Sequence, residues 1–116
     1  MSSFTSYVKS QLLFAGEIAA AATGLLITYS SQVGPGLLTG GQAASVYTIT
    51  MPANYTVPIN RRFVYLATTG ATLGQQVQYD EAASAANTVV VRGTAFGGGA
   101  ADVPFVFEIF TIEMLS

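Results

Sequence analysis

The acidic residues are the first candidates for catalysis or metal binding in this sequence, because it contains neither cysteine nor histidine. Thiol catalysis, disulfides, cysteine-ligated zinc and a Ser-His-Asp triad are therefore excluded. Asp80 and Glu81 are adjacent, so on a strand they point to opposite faces, whereas in a loop they could share a calcium ion. Calcium takes six or more oxygen ligands, and no calcium-loop pattern surrounds this pair. We therefore predict no metal site here.

Glu108 and Glu113 are the other acids whose spacing needs testing. Hydrolysis by a carboxylate pair requires two acids held several ångströms apart over a cleft. These two are five residues apart, so in one strand they face opposite sides. Glu108 interrupts an otherwise apolar face. It is either an exposed acid or the partner of Arg61, Arg62 or Arg92 across strands or between subunits.

Short patterns elsewhere carry no catalytic signal. Gly97-Gly98-Gly99 lacks the spacing and the following lysine of a phosphate-binding loop, and reads as a flexible loop. Asn54-Tyr55-Thr56 matches a glycosylation acceptor, with no secretion signal to support it. The six tyrosines either line a sugar- or peptide-binding surface or are half-buried core residues. We predict no enzyme, no catalytic residue, no cofactor and no metal.

The composition indicates an assembled protein. Hydrophobic residues make up 51% and charged residues only 9%, against about 25% charged in a typical domain. Only four basic and six acidic residues are available to solvate the whole surface. We therefore expect part of the apolar surface to be buried between subunits. The net charge of -2 and the lack of a basic cluster beyond Arg61 and Arg62 exclude nucleic acid as a partner.

The N-terminal residues 1–24 differ in pattern from the rest. Apolar residues recur there at three- and four-residue steps, and residues 19–22 are all alanine, which favours a short helix. A strand around residues 12–14 remains the alternative. Residues 12–27 are too short and, with Glu17, too polar for a membrane span. We predict an N-terminal arm or short helix that contacts neighbouring subunits and leaves the core to residues 25–116.

Residues 25–116 have the pattern of an all-β domain: short alternating runs separated by turn residues. The run at residues 103–112 is apolar on both faces, so we expect it to be covered on both sides. The pattern predicts a mainly β fold, a β-sandwich or jelly-roll-like domain. Its predicted core consists of Tyr47, Ile49, Val57, Phe63, Tyr65, Val89, Val91, Phe105, Phe107 and Ile109.

The composition and strand pattern of residues 25–116 resemble those of small virion structural proteins of tailed bacteriophages. They combine short strands, few charges, a hydrophobic last strand and small-residue loops such as Thr68-Thr69-Gly70-Ala71-Thr72. The resemblance is to head-decoration (cement) proteins or to tail and fibre components. It implies a non-enzymatic role, a homo-oligomer that is most often a trimer, a major capsid or other virion protein as partner, and a place on the capsid exterior or tail.

The residues expected at contacts between subunits are the apolar ones of the N-terminal segment and the charged ones discussed above. They are Phe4, Tyr7, Val8, Leu12, Leu13, Ile18, Arg61, Arg62 and Glu108. The alternative function is a lectin-like or receptor-binding β-sandwich, in which tyrosines and glycine-rich loops contact a ligand.

Overall fold

A computed structural model describes residues 7–20, 23, 25–31, 38–52 and 58–115. Within them the chain forms strands and a single 3-10 turn at Ile59–Arg61, with no α-helix. The strands are β1 (Tyr7–Ala20), β2 (Leu25–Ser31), β3 (Thr39–Ala43), β4 (Val46–Thr50), β5 (Arg62–Thr68), β6 (Gln76–Tyr79), β7 (Thr88–Thr94) and β8 (Phe105–Leu115).

The strands form two four-stranded antiparallel sheets. The first sheet has the order β2-β1-β8-β5 and the second has the order β3-β4-β7-β6. One face of each sheet turns towards the other and supplies the core, which is a sandwich arrangement. The prediction of a mainly β, sandwich-like fold is confirmed.

The helix prediction for the N-terminal segment is wrong over residues 7–20. These residues form β1, a 14-residue strand that lies between β2 and β8. Register shifts between Leu12 and Phe14 against β8, and between Ile18 and Ala20 against β2, mark irregularities of the β-bulge type in which β1 has the extra residue. Each adds a residue to the strict two-residue alternation, and this produces the three- and four-residue steps of a helix-like pattern. The helix propensity of the alanines is overridden by pairing on both edges of the strand.

The core between the sheets takes side chains from both, and most of the predicted set is in it. Val57 lies outside the described residues. Phe14 and Ile18 of β1 are fully buried, so this segment contributes to the domain's own core, contrary to our expectation. The fully buried large side chains are Tyr47, Phe14, Phe105, Phe107, Ile18, Ile49, Met51, Ile109, Val89, Val91 and Val103.

Strand β5 presents the opposite face to the one we predicted. Phe63 and Tyr65 are about half exposed, while Val64 and Leu66 pack against the core. The reason is register: Val64 is paired with Ile109, whose side chain is buried. Directly paired residues point to the same face, and a shift of one residue exchanges the two faces of a strand. The prediction of Phe63 and Tyr65 as core residues is therefore wrong.

Candidate interaction surface

The outward side of the first sheet is a continuous, mainly apolar surface, which we call the outer face. Pairing across the four strands aligns its side chains in rows, because Val106 lies opposite both Glu17 and Ala67. In the next row Glu108 lies opposite Ala15 and Tyr65. The outer face consists of Leu12, Ala15, Glu17, Leu25, Ile27, Phe63, Tyr65, Ala67, Val106, Glu108 and Phe110.

Exposure of large apolar side chains is concentrated on the outer face. Leu25 is 56% exposed, Phe63 52%, Tyr65 51% and Ile27 41%. The other large apolar side chains that are exposed within the described residues, Leu73 and Phe96, lie in loops. An apolar patch of this kind, spread over adjacent strands, is typical of a surface that another protein covers.

An aromatic pair joins β5 to β8 on the outer face. The rings of Phe63 and Phe110 have centroids 6.0 Å apart and are inclined at 58°. The two residues are directly paired across the strands. Aromatic pairs of this separation hold one another in place, so the pair forms a fixed hydrophobic centre on the face.

Glu108 lies among these apolar neighbours on a central strand of the sheet, between Ala15 and Tyr65. Its side chain is half-buried. Within the part of the chain that the structure describes, Glu108 has no side-chain hydrogen bond or ion pair. A carboxylate in this position is tolerated in water, but it requires a partner as soon as another surface covers the sheet.

Arg62 lies inside the sandwich, not at a subunit contact where we expected it. Its guanidinium donates to the carbonyl oxygens of Ala85 at 2.8 Å, Ala86 at 3.0 Å and Thr88 at 2.8 Å. It also donates to the Tyr79 hydroxyl at 3.2 Å. These contacts tie β5 of the first sheet to the turn that precedes β7 of the second sheet. Arg62 therefore has an architectural role.

The two remaining arginines differ in their surroundings. Arg92 of β7 donates through Nε to Asp80 Oδ2 at 2.5 Å. This hydrogen bond, with help from the Ala83 amide, holds the pKa of the Asp80 carboxyl below its ordinary value. Arg61 is exposed at the end of the 3-10 turn, and among the described residues it has no ion-pair partner. Arg61 is thus available to a second molecule.

The second sheet has a polar outward side. Thr39 and Thr88 lie opposite Thr50, and Arg92 lies opposite Gln78. Near this region Gln78, Tyr79, Asp80, Glu81 and Arg92 line an open cleft of about 290 Å³. Val46 and Val90 are on the same side, and Val90 is only 6% exposed because the segment that precedes β7 bonds to its backbone. Among the described residues, no large apolar side chain is exposed on this side of the second sheet.

One end of the second sheet contains a polar network that sequence reasoning missed. Asp102 accepts hydrogen bonds from Gln42 Nε2 and Ser45 Oγ, both at 2.9 Å. The Val103 amide donates to the Tyr47 hydroxyl at 3.1 Å, and burial raises the pKa of Tyr47. This network anchors the β7–β8 loop to the β3–β4 hairpin. No local motif in the sequence indicates it, because Asp102 is 60 residues from Gln42.

The structure separates the other residues expected at subunit contacts. Leu12 is on the outer face, Leu13 packs against the core, and Ile18 is buried, so Ile18 is not available to a neighbouring subunit. Tyr7 and Val8 pair with residues Leu115 and Met114 of β8. Phe4 lies outside the described residues, as does the glycosylation pattern at residues 54–56.

Features for other functions are few in the described ranges. No group of three acidic, histidine or cysteine side chains is arranged to hold a metal ion there. Over the same ranges, no helix has the length and apolar character needed to cross a membrane. The three tyrosines whose side chains the structure describes do not share a surface: Tyr47 is buried, Tyr65 is on the outer face and Tyr79 is in the second sheet.

Comparison with protein-family models, curated proteins and solved structures finds no match to this chain.

Proposed function

We propose that this chain is a non-enzymatic structural subunit of a virion, of the kind found on the capsid or tail of a tailed bacteriophage. In this role it stabilises an assembly by burying apolar surface against identical copies and against a major capsid or other virion protein. The observation that carries the proposal is the exposed apolar outer face of the first sheet, in a chain with only 9% charged residues.

Apolar contact is the dominant attraction available to such a surface. Burial contributes roughly 25 cal/mol per Å² of apolar area removed from water. An exposed ion pair contributes only about 0–1 kcal/mol, and four basic residues cannot form many pairs. Association costs offset much of the gross gain, but the ranking of these two contributions is unchanged.

The test is the mass of the purified protein, measured by light scattering in low salt, in molar sodium chloride and in mild detergent. We expect an oligomer that persists in molar salt and dissociates in detergent. The same protein, added to native particles, should sediment with them. A monomer at every concentration that also fails to bind particles would contradict the proposal. Dissociation by salt alone would mean that charged residues hold the assembly.

A glycan-binding module is the second candidate, and the polar cleft near β6 and β7 is what favours it. Gln78, Asp80 and Arg92 offer hydrogen-bonding groups of the type that orient sugars. The matched test is a glycan array with the unmodified chain and with Asp80→Asn. Binding that disappears in the variant would favour this candidate, whereas a monomer that binds neither native particles nor glycans would exclude both.

A further inference from the structure

The outer face carries an arrangement of charged and aromatic residues with an approximate two-fold relation. Phe63 and Phe110 are paired across β5 and β8. Arg61 precedes Phe63 by two residues, and Glu108 precedes Phe110 by two residues. Glu108 lies about 7 Å from the aromatic pair along β8. Because β5 and β8 are antiparallel, the 3-10 turn that leads into β5, and with it the exposed Arg61, lies beyond the opposite side of the pair.

This arrangement is self-complementary. A two-fold axis that lies between two facing copies, crosses the strands and passes by the aromatic pair places Arg61 of each copy beside Glu108 of the other. The two aromatic pairs then meet at the centre of the contact. An interface of this type uses the same patch twice, which is the commonest symmetry among oligomers.

The other two arginines and the second acid of the outer face already have partners. Arg62 is bound to carbonyl oxygens inside the sandwich, and Arg92 is bound to Asp80. Glu17, the second carboxylate on the outer face, has an interaction of its own. Of the three arginines, Arg61 is therefore the one left for a contact between copies, and Glu108 is the carboxylate of the outer face that has no partner among the described residues.

The dimensions of the face suit such a contact. Four strands about 4.8 Å apart and β5's seven residues of about 3.3 Å each give a footprint of roughly 440 Å² in projection. Strands β1 and β8 continue the sheet further, with pairing as far as Tyr7 and Leu115. A standard interface buries about 800 Å² per partner, and the accessible area of a corrugated sheet exceeds its projection.

We propose that two copies of this chain pack through their outer faces about a two-fold axis next to Phe63 and Phe110, with Arg61 of each copy bound to Glu108 of the other. This proposal rests on the assembled structural role proposed above and names the first partner, a second copy. It pairs copies two at a time, and so departs from the trimer that the sequence resemblance implies.

The decisive experiment is a charge exchange, read out by sedimentation equilibrium on the full chain. Glu108→Arg and Arg61→Glu each place two like charges in the covered face. A single buried unpaired charge already costs enough to weaken a dimer at least about 100-fold. The double variant R61E/E108R restores the pair in reversed polarity and should return the dimer constant to within about tenfold of the unmodified chain.

Two controls make the outcome specific. Glu81→Arg changes an exposed acid near the other sheet by the same charge and should leave the dimer constant unchanged. Phe63→Gln should weaken the dimer, whereas Phe96→Gln, at an exposed loop aromatic, should not. Circular dichroism and thermal unfolding confirm that each variant folds. If Glu108→Arg does not fold, Glu108→Gln replaces it, with an expected weakening of about tenfold.

The contrary outcomes are distinct from one another. If the chain assembles but neither single exchange changes its mass, this contact is wrong and the assembled role stands. If both single variants lose the dimer and the double variant does not recover it, the Arg61–Glu108 pair is refuted. A trimeric mass refutes the two-fold contact. A monomer at all concentrations refutes this contact. The particle-binding measurement alone then decides the proposed structural role.

Discussion

The two sheets of the sandwich bury similar inner faces but differ on their outward sides. The second sheet presents threonine, glutamine and two small valines outward, together with an arginine that is bound to a nearby aspartate. The first sheet presents phenylalanine, tyrosine, isoleucine and leucine. A sheet with a polar outward side is complete in water, and a sheet with two apolar sides is not. The difference supports our proposal that the outer face of the first sheet is the side that contacts other proteins.

The inner faces and the outer face should respond differently to the loss of an aromatic ring, and this is the largest effect that we expect. Phe107 is 1% exposed between the sheets. Phe107→Ala should lower the free energy of unfolding by about 3–5 kcal/mol, because the lost contacts leave a cavity. Chemical denaturation measures it. Phe96→Ala, at an 87% exposed ring, is the control and should change stability by less than about 0.5 kcal/mol.

The hydrogen bonds by which Arg62 joins the two sheets can be removed without changing the apolar core. Arg62→Lys replaces a planar group that reaches several carbonyl oxygens with a single ammonium. We expect a loss of about 2–4 kcal/mol in the free energy of unfolding, since buried carbonyls lose charged donors. Arg61→Lys, at the exposed neighbouring position, is the matched control. If both variants unfold at the same denaturant concentration, Arg62 does not join the sheets energetically.

Sequence patterning could predict the faces of the second sheet and not those of the first. In β4, threonines alternate with Tyr47 and Ile49, so the wet face is visible in the sequence and the structure confirms it. In β5, both faces are apolar, and only the register with β8 decides that Val64 points inward and Phe63 outward. Register depends on long-range pairing, which no local pattern encodes.

The same limit applies to the candidate site. Glu108 can be identified from the sequence because it interrupts an apolar run. In the structure it does lie among apolar side chains, opposite Tyr65. Which of two adjacent arginines is buried could not be predicted, because the answer depends on carbonyl oxygens more than 20 residues away. The strand β1 was misjudged because two register irregularities produce the steps of a helix.

A third variant sharpens the comparison within the second sheet, at the turn between β3 and β4. Ala44 and Ser45 have φ angles of 51° and 68°, a left-handed conformation in which alanine is strained. Ala44→Asn should stabilise the domain by about 0.5–1 kcal/mol, because asparagine suits this turn type. Ala43→Asn, on the preceding strand, is the control and should not stabilise. Thermal unfolding of both variants decides the sign.

The smallest expected effect concerns the ion pair near the polar side of the second sheet. Arg92 lowers the pKa of Asp80 in the folded chain, so the folded state favours the ionised carboxylate. The resulting stability is present above the ordinary carboxyl pKa of about 3.9 and is lost as the pH falls through the lowered folded value. Asp80→Asn keeps an oxygen that can accept from the Ala83 amide, so the variant removes mainly the charge.

Denaturation of the unmodified chain and of Asp80→Asn between pH 6 and pH 2 is the measurement. We expect a small stability difference at pH 6 that becomes smaller as the pH falls towards 2, and that is reduced by salt because Arg92 is half exposed. A difference that stays the same over this pH range would mean that the carboxyl contributes by packing and hydrogen bonding. A change in oligomer mass in this variant would show that the polar side also contacts a neighbour, and would remove the contrast between the two sheets.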